Sequence, residues 1–316
     1  MRKSDHFDGN RYFNPGIPPR RFKDLIKWLM TRRPTPWPKA RKVPPPAKPS
    51  KSVHDQLIIT FINHATMLIQ WDGINFLTDP VWSERVSPFK WFGPKRVHPP
   101  GVLFEDLPPI HYILLSHNHY DHLDITTLRK LIKRDQPKIL TGLGVGEWLH
   151  KKQKIENVIE LDWWQSVNFP QKLKIIFTPT QHFSSRTLFD RDKTLWGGFA
   201  VNWDDELLYF SGDTAYCNVF KEIRKKFGSP RLALLPIGAY EPRWFTSSVH
   251  MSAEESLQAH LDLESKISLA YHFGTFRLTD EGIDDPPKSL MKEMERRGIP
   301  FETFWILEPG QSRKVP

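Results

Sequence analysis

Three imidazoles and a carboxylate fall within six residues in Ser116-His117-Asn118-His119-Tyr120-Asp121-His122-Leu123-Asp124. Imidazole nitrogen and carboxylate oxygen are donors that suit zinc and its neighbours, and a catalytic site uses few protein ligands per metal so that water keeps a coordination position. His117 and His119 stand two apart, directly after the apolar run Tyr112-Ile113-Leu114-Leu115, which reads as a buried strand. Their side chains can therefore converge on one ion at the strand end. Asp121 and His122, further round the same turn, are offset toward a second ion. Two metals about 3.5–4 Å apart would clamp a bridging hydroxide and an anionic substrate together.

Such a cluster needs ligands from elsewhere in the chain, and three residues share the right placement. His182 follows the apolar run Lys174–Pro179, Asp213 follows Leu207–Phe210, and His272 follows Ser268–Tyr271. Side chains that begin a loop at the ends of strands on one edge of a sheet layer can meet at one point. The remaining pattern supplies that sheet. Leu57–Ile62, Met67–Trp71 and Ile74–Thr78 are short β runs, the last two joined through the hairpin signal Asp72-Gly73. Phe199–Trp203 and Leu207–Phe210 form a second hairpin around Asp204-Asp205, and Ile139-Leu140, Val158–Leu161, Leu232–Pro236 and Thr303–Leu307 add strands. Helices fall between them: one capped by Asp124 and running to about Lys133, then Val145–Lys152, Val219–Phe227, Ala253–Leu263 capped by Ser252, and Pro287–Arg297. The β-rich, helix, β-rich, helix rhythm is that of an α/β chain with two similar halves.

The net charge of +9 invites a nucleic-acid reading until it is located. Residues 1–51 hold 14 Lys/Arg against 3 Asp/Glu, and residues 52–316 hold 31 against 33. The body therefore lacks the basic surplus that phosphate tracking requires, and nucleic acid is disfavoured as a partner. The chain divides into a basic, Pro-rich extension, 1–51, and a catalytic domain, 52–316. Within the extension, Phe22, Leu25, Ile26 and Leu29 recur at helical spacing over residues 20–33, with basic residues mostly opposite. Such a helix either lies in the headgroup plane of an anionic membrane or packs on its own domain or a partner subunit. Seven prolines among residues 34–51 make the connection extended. No apolar run reaches bilayer length, and the lone Cys217 fits a reducing compartment, so a cytoplasmic protein is expected, peripheral on the inner face of a membrane where the helix docks.

The ligand order His-x-His-x-Asp-His, then His182, Asp213 and His272, resembles that of the metallo-β-lactamase fold. More narrowly the chain is similar to the N-acyl-phosphatidylethanolamine-hydrolysing phospholipase D group. Leu-Thr-Asp-Pro (77–80), Gly-Pro-Lys-Arg (93–96), Ser116–Asp124, Val158–Trp164, Gly212–Cys217 and the decapeptide Pro236–Phe245 carry that likeness from about residue 57 onward. The resemblance implies a four-layer αβ/βα sandwich with a binuclear zinc site, other divalent transition metals being possible. His117, His119 and His182 would hold one zinc, Asp121, His122 and His272 the other, and Asp213 would bridge. A metal-bound hydroxide would attack phosphorus in a phospholipid, releasing phosphatidic acid and an N-acylethanolamine. Asp121 would orient or deprotonate the water, and His250 would contact the phosphate or the leaving group. A homodimer is expected by resemblance alone.

His64, Tyr120, Tyr240 and Trp244 are the candidate substrate contacts, with Trp163-Trp164 and Trp244-Phe245 as candidate walls of an acyl groove. Two other readings stay open at this level: a metal hydrolase acting on a soluble substrate such as a phosphorylated sugar lactone, a cyclic nucleotide or RNA, and a non-catalytic module on the same scaffold.

Overall fold

A computed structural model describes residues 4–18, 22–89 and 91–316. Its helices are α1 (Phe22–Thr31), α2 (Ile125–Asp135), α3 (Val145–Trp148), α4 (Val219–Phe227), α5 (Arg243–Thr246), α6 (Ala253–Leu263) and α7 (Asp285–Arg297). The first half supplies strands β1 (Leu57–Asn63), β2 (Thr66–Trp71), β3 (Ile74–Thr78), β4 (Tyr112–Leu115), β5 (Lys138–Gly142) and β6 (Val158–Leu161). The second supplies β7 (Ser166–Asn168), β8 (Leu173–Thr178), β9 (Gly198–Trp203), β10 (Glu206–Phe210), β11 (Leu232–Pro236), β12 (Ile267–Tyr271) and β13 (Phe304–Trp305), and β14 (Ser312–Val315) closes the chain.

The strands form two seven-stranded sheets, ordered β14-β1-β2-β3-β4-β5-β6 and β13-β12-β11-β10-β9-β8-β7. Each is built alike: antiparallel hairpins first, β1-β2-β3 and β7-β8-β9-β10, then parallel strands, β3 to β6 and β10 to β13. The period-two alternation of strand side chains sorts the two faces. In the first sheet Leu57, Ile59, Phe61, Met67, Ile69, Phe76, Leu114 and Leu140 join Phe177, Phe199 and Val201 of the second in one core between the sheets. Leu68, Leu77, Ile113, Leu115 and Ile139 face the other way, onto Leu128, Leu131, Val145 and Leu149 of the helical layer. The result is the expected four-layer αβ/βα sandwich.

Local signals act as read. The hairpin turns place Asp72 and Gly73, and Asp204 and Asp205, at positive φ. Asp124 Oδ1 accepts from the Thr126 and Thr127 amides to start α2, and Ser252 with Glu255 forms a capping box at α6.

The extension does not stand away from the body. Tyr12 N donates to Asp192 O at 2.8 Å, Asn14 Nδ2 to His182 O at 2.7 Å, Thr35 N to Asp280 O at 2.9 Å and Trp37 Nε1 to Glu281 O at 3.0 Å. The apolar stripe of α1 is divided. Trp28 is buried, stacked on Phe245 with ring centroids 4.9 Å apart and covered by the Arg32 guanidinium, whereas Ile26, Leu29 and Met30 are exposed. One large aromatic pair selects which part of the apolar face is buried, while residues 20 and 21 and the Phe22 side chain lie outside the described residues. Among the described residues no helix is long and apolar enough to cross a membrane.

Candidate metal centre

All the ligand-type loops open on one edge of the sandwich. β3 ends at Asp79, β4 at Ser116-His117, β8 leads to His182, β10 to Gly212-Asp213 and β12 to His272, while the β1–β2 turn carries His64. Gly212 shows why one of these turns has its sequence: its φ is +59°, and an added Cβ would lie 2.6 Å from Gly197 O. Tyr271 Oη donates to Gly212 O and steadies the same turn.

The side chains converge in overlapping groups whose ligand atoms lie within 4.8 Å of one another: His117/His119/His182 and His64/Asp121/His122/His272, joined by Asp79/His117/His122 and His182/Asp213/His250. In the first, His119 Nδ1 stands 2.7 Å from His117 Nε2 and 3.3 Å from His182 Nε2. The outer nitrogens of two of these rings are already committed. His182 Nδ1 donates to Val249 O at 2.8 Å, and His117 Nδ1 donates to Ser116 Oγ at 2.9 Å, whose own proton goes to Asp79 Oδ2 at 2.6 Å. Each ring therefore turns a bare lone pair inward. Both lone pairs face His119 Nδ1, and a cation among the three rings would be coordinated by all of them.

In the second group Asp121 Oδ2 is 3.0 Å from His64 Nε2, 3.5 Å from His122 Nε2 and 3.6 Å from His272 Nε2. Asp213 Oδ2 lies between the groups: 3.2 Å from His122, 3.1 Å from His272, 3.7 Å from His182 and 3.9 Å from His250 Nδ1. These side chains are almost wholly buried, and His122 Nε2 and Asp213 Oδ1 have no hydrogen-bond partner. Orphaned buried donors and acceptors of this kind carry a large penalty unless an ion satisfies them. The donor set therefore fits divalent metal.

Asp79 was not among the expected site residues, yet it ties both groups together. Fully buried, it accepts from Ser116 N at 2.7 Å, from Ser116 Oγ, and from His122 Nδ1 at 2.6 Å. It thereby fixes the tautomer of His122 directly and that of His117 through one hydroxyl. Its signal was available: Leu-Thr-Asp-Pro follows an apolar strand, the same placement that marked His182, Asp213 and His272. Arg186 acts on the same loop from outside, donating to Asn118 O at 2.7 Å and Leu123 O at 2.9 Å over the Tyr120 ring.

Charge differs between the two groups. Burial holds His117, His119 and His182 well below the ordinary imidazole range. Burial would do the same to His122 and His272, but the Asp213 and Asp121 carboxylates outweigh it, lifting His122 well above its usual value and His272 to about 9. Burial would raise Asp213, but His122 and His272 hold it well below the carboxylate range, and His122 does the same for Asp121. Protons and metal thus compete for the second group and not for the first. Metal binding there should release protons at neutral pH and tighten as the pH rises from 6 to 8. Calorimetric titration in two buffers of different ionisation enthalpy counts those protons, and a buffer-independent heat would contradict the assignment.

A cavity of about 390 Å³ opens onto these groups. His119, Asp121, Asp213 and His250 form its polar side, and Leu25, Trp28, Phe183, Phe245 and Leu278 form an apolar side. The expected catalytic residue His250 lines it, and of the candidate substrate contacts Trp244 is half-exposed nearby, beneath Lys27 Nζ at 4.8 Å. His64 is buried behind the cavity against Asp121, and Tyr120 faces an adjoining depression with Arg186. Tyr240 is buried near Ser289 and does not line the cavity. Trp163 and Trp164 pack on the core instead, Trp163 beneath His6 at 3.9 Å.

Residues 74–273 match the beta-lactamase superfamily domain. The chain belongs to that superfamily. It is a metal-dependent hydrolase of the metallo-β-lactamase fold, and the fold implies divalent metal at this edge. It is 39% identical over 267 residues to N-acyl-phosphatidylethanolamine-hydrolyzing phospholipase D 1 of Caenorhabditis elegans, covering 81% of this chain and 75% of that one. It is 33% identical over 237 residues to the mitochondrial N-acyl-phosphatidylethanolamine-hydrolyzing phospholipase D of Saccharomyces cerevisiae, covering 73% of this chain and 50% of that one. Among solved structures, a metallo hydrolase from the archaeon Ignicoccus hospitalis superposes with a TM-score of 0.63 at 21% identity, over 83% of this chain and 99% of that one, and shares the fold.

Proposed function

We propose that the chain is a zinc-dependent phospholipase D that hydrolyses N-acyl-phosphatidylethanolamine, or a related phospholipid, to phosphatidic acid and an N-acylethanolamine. The observation that carries this reading is the cleft itself. One cavity sets His119, Asp121, Asp213 and His250 against Leu25, Trp28, Phe183 and Phe245, so a phosphodiester and an acyl chain are accommodated side by side. The likeness to the nematode and yeast phospholipases supports the same substrate class.

His117, His119 and His182 would hold one zinc, Asp121, His122 and His272 the other, with Asp213 between them; His64 supports Asp121 from behind. Bound there, the metals supply Lewis acidity and a water acidic enough to be deprotonated near neutral pH. Asp121 sits at the cleft floor, where its carboxylate orients the attacking water and takes up its proton. His250 faces the same cavity and hydrogen-bonds a phosphoryl oxygen or the leaving ethanolamide oxygen. The apolar wall excludes bulk water and holds the chains, which fixes phosphorus over the ligand groups. Helix α1 is part of that wall, and its exposed basic and apolar residues suit peripheral contact with anionic lipid.

Wild type, reconstituted with zinc, is expected to release phosphatidic acid from N-acyl-phosphatidylethanolamine, and Asp121→Asn to lose at least about 100-fold in kcat while keeping its fold. Mass spectrometry of the lipid products decides it. Turnover of soluble phosphodiesters alone, with the lipid untouched, would overturn the lipid assignment and leave the metal chemistry standing.

A further inference from the structure

Two loops remote from α1 in sequence carry large apolar side chains into solvent. Phe89, Trp91 and Phe92 are exposed on one, Trp91 to 78%, and Leu188 and Phe189 on the other to 81% and 82%. Exposed apolar surface gathered on loop tips costs free energy with no return inside the chain. Neither loop is loosely held at its base. Ser87 Oγ accepts from Phe89 N at 2.9 Å and reaches Phe92 O at 2.6 Å, and Arg85 Nη1 donates to Gly93 O at 2.6 Å. Asp190 Oδ1 accepts from Arg186 N at 2.9 Å and Thr187 N at 2.7 Å. Hydrogen bonds thus hold the described residues at the base of each loop.

Their place in the fold gives the exposure a direction. Phe89 borders a depression shared with Tyr120 and Arg186, directly beside the ligand loop. Ser185 and Arg191, from the base of the second loop, line the metal cleft together with Leu25 and Trp28 of α1. Leu25 and Trp28 of α1 and the base of the second loop therefore border the metal cleft, and the Phe89 loop borders the depression beside Tyr120. Residues 22–33 and 85–96 together contain eight Lys/Arg and one acidic residue. Aromatic and aliphatic tips interleaved with cations are the composition of a surface that enters the headgroup region of an anionic bilayer. A folded protein partner would be met by a continuous face or groove, and these are separate loop tips.

We propose that Phe89, Trp91 and Phe92 of one loop and Leu188 and Phe189 of the other, alongside α1, form the lipid-docking surface, inserting so that the cleft mouth rests on an anionic membrane. The proposal rests on the phospholipid reading above but is tested apart from it. The full chain and two double variants, W91S/F92S and L188S/F189S, are sedimented with phosphatidylcholine vesicles with and without phosphatidylserine, and metal content and melting temperature are measured on each. Each double variant is expected to lose roughly tenfold or more in partition to the phosphatidylserine vesicles, as removal of that much apolar surface requires, with metal content and melting temperature unchanged. Brominated lipid should quench wild-type tryptophan fluorescence more than that of Trp91→Phe. Wild type that ignores both vesicle types, or double variants that bind as wild type does, would overturn the docking surface. Loop-dependent binding without phosphatidic acid release would sink the phospholipase reading alone, and lipid hydrolysis with loop-independent binding would sink this inference alone.

Discussion

Asp213→Ala is expected to abolish hydrolysis, with a loss of three orders of magnitude or more, and to strip the protein of most of its divalent metal. Among the described residues Asp213 Oδ2 is the one anionic atom that stands within 4 Å of His122, His182, His250 and His272. Its removal takes the negative charge from between the two ligand groups and leaves His122 and His272 facing each other in a buried space. The raised basicity of both rings comes largely from this carboxylate, so it should fall with it. Asp121 and Asp79 still stand beside the two rings and keep the chain folded, but without the carboxylate that joins the two groups metal is held weakly. Metal analysis after dialysis and a rate measurement on the same preparation check this. Near-wild-type metal content in a folded Asp213→Ala protein would show that the two groups bind independently.

Asp79→Ala should act without touching substrate. Asp79 accepts hydrogen bonds from Ser116 Oγ and His122 Nδ1 and so directs His117 Nε2 and His122 Nε2 inward, toward the metal position. Without it either ring can flip its tautomer and present N–H where a lone pair is needed. We expect metal affinity to fall about 10- to 100-fold, with activity recovered in part when metal is supplied in excess. Asp79→Asn retains one acceptor and should fall between wild type and Asp79→Ala. A competitive chelator titration measures the affinities. An Asp79→Ala protein with unchanged affinity would confine Asp79 to holding the β3 and β4 ends together.

A related expectation concerns the basic extension. As a Pro-rich arm around an amphipathic helix, residues 1–51 read as separable, and their removal would be expected to spare metal content. The side chains alter that expectation. Asn14 bonds the backbone of His182, and Leu25 and Trp28 wall the cleft. Truncation should therefore weaken the His117/His119/His182 group and enlarge the cavity as well as change membrane behaviour.

The site was legible where chemistry and pattern coincide. A ligand-type residue directly after an apolar strand marks a strand end, and His117, His182, Asp213 and His272 all carry that signature in the chain order that the fold requires. Asp79 carries it too, but a single Asp before a Pro also reads as an ordinary turn. Orientation was less legible. His64 and Tyr240 lie in segments that border the site, and only packing decides that His64 turns inward onto Asp121 and Tyr240 toward Ser289. The strands β7 and β14 were missed because Ser166-Val167-Asn168 and Ser312-Arg313-Lys314-Val315 are mostly polar and lie at sheet edges, where no buried face imposes an apolar alternation. The same limit applies to α1, where the Trp28–Phe245 stack decides which part of the apolar face is buried.

Anomalous scattering from crystals of the zinc-loaded protein, recorded on either side of the zinc edge, tests the metal centre most directly. Two peaks about 3.5–4 Å apart are expected, one among His117, His119 and His182, the other among Asp121, His122 and His272, with Asp213 touching both. A single peak, or zinc bound away from the strand ends that carry these residues, would contradict the account.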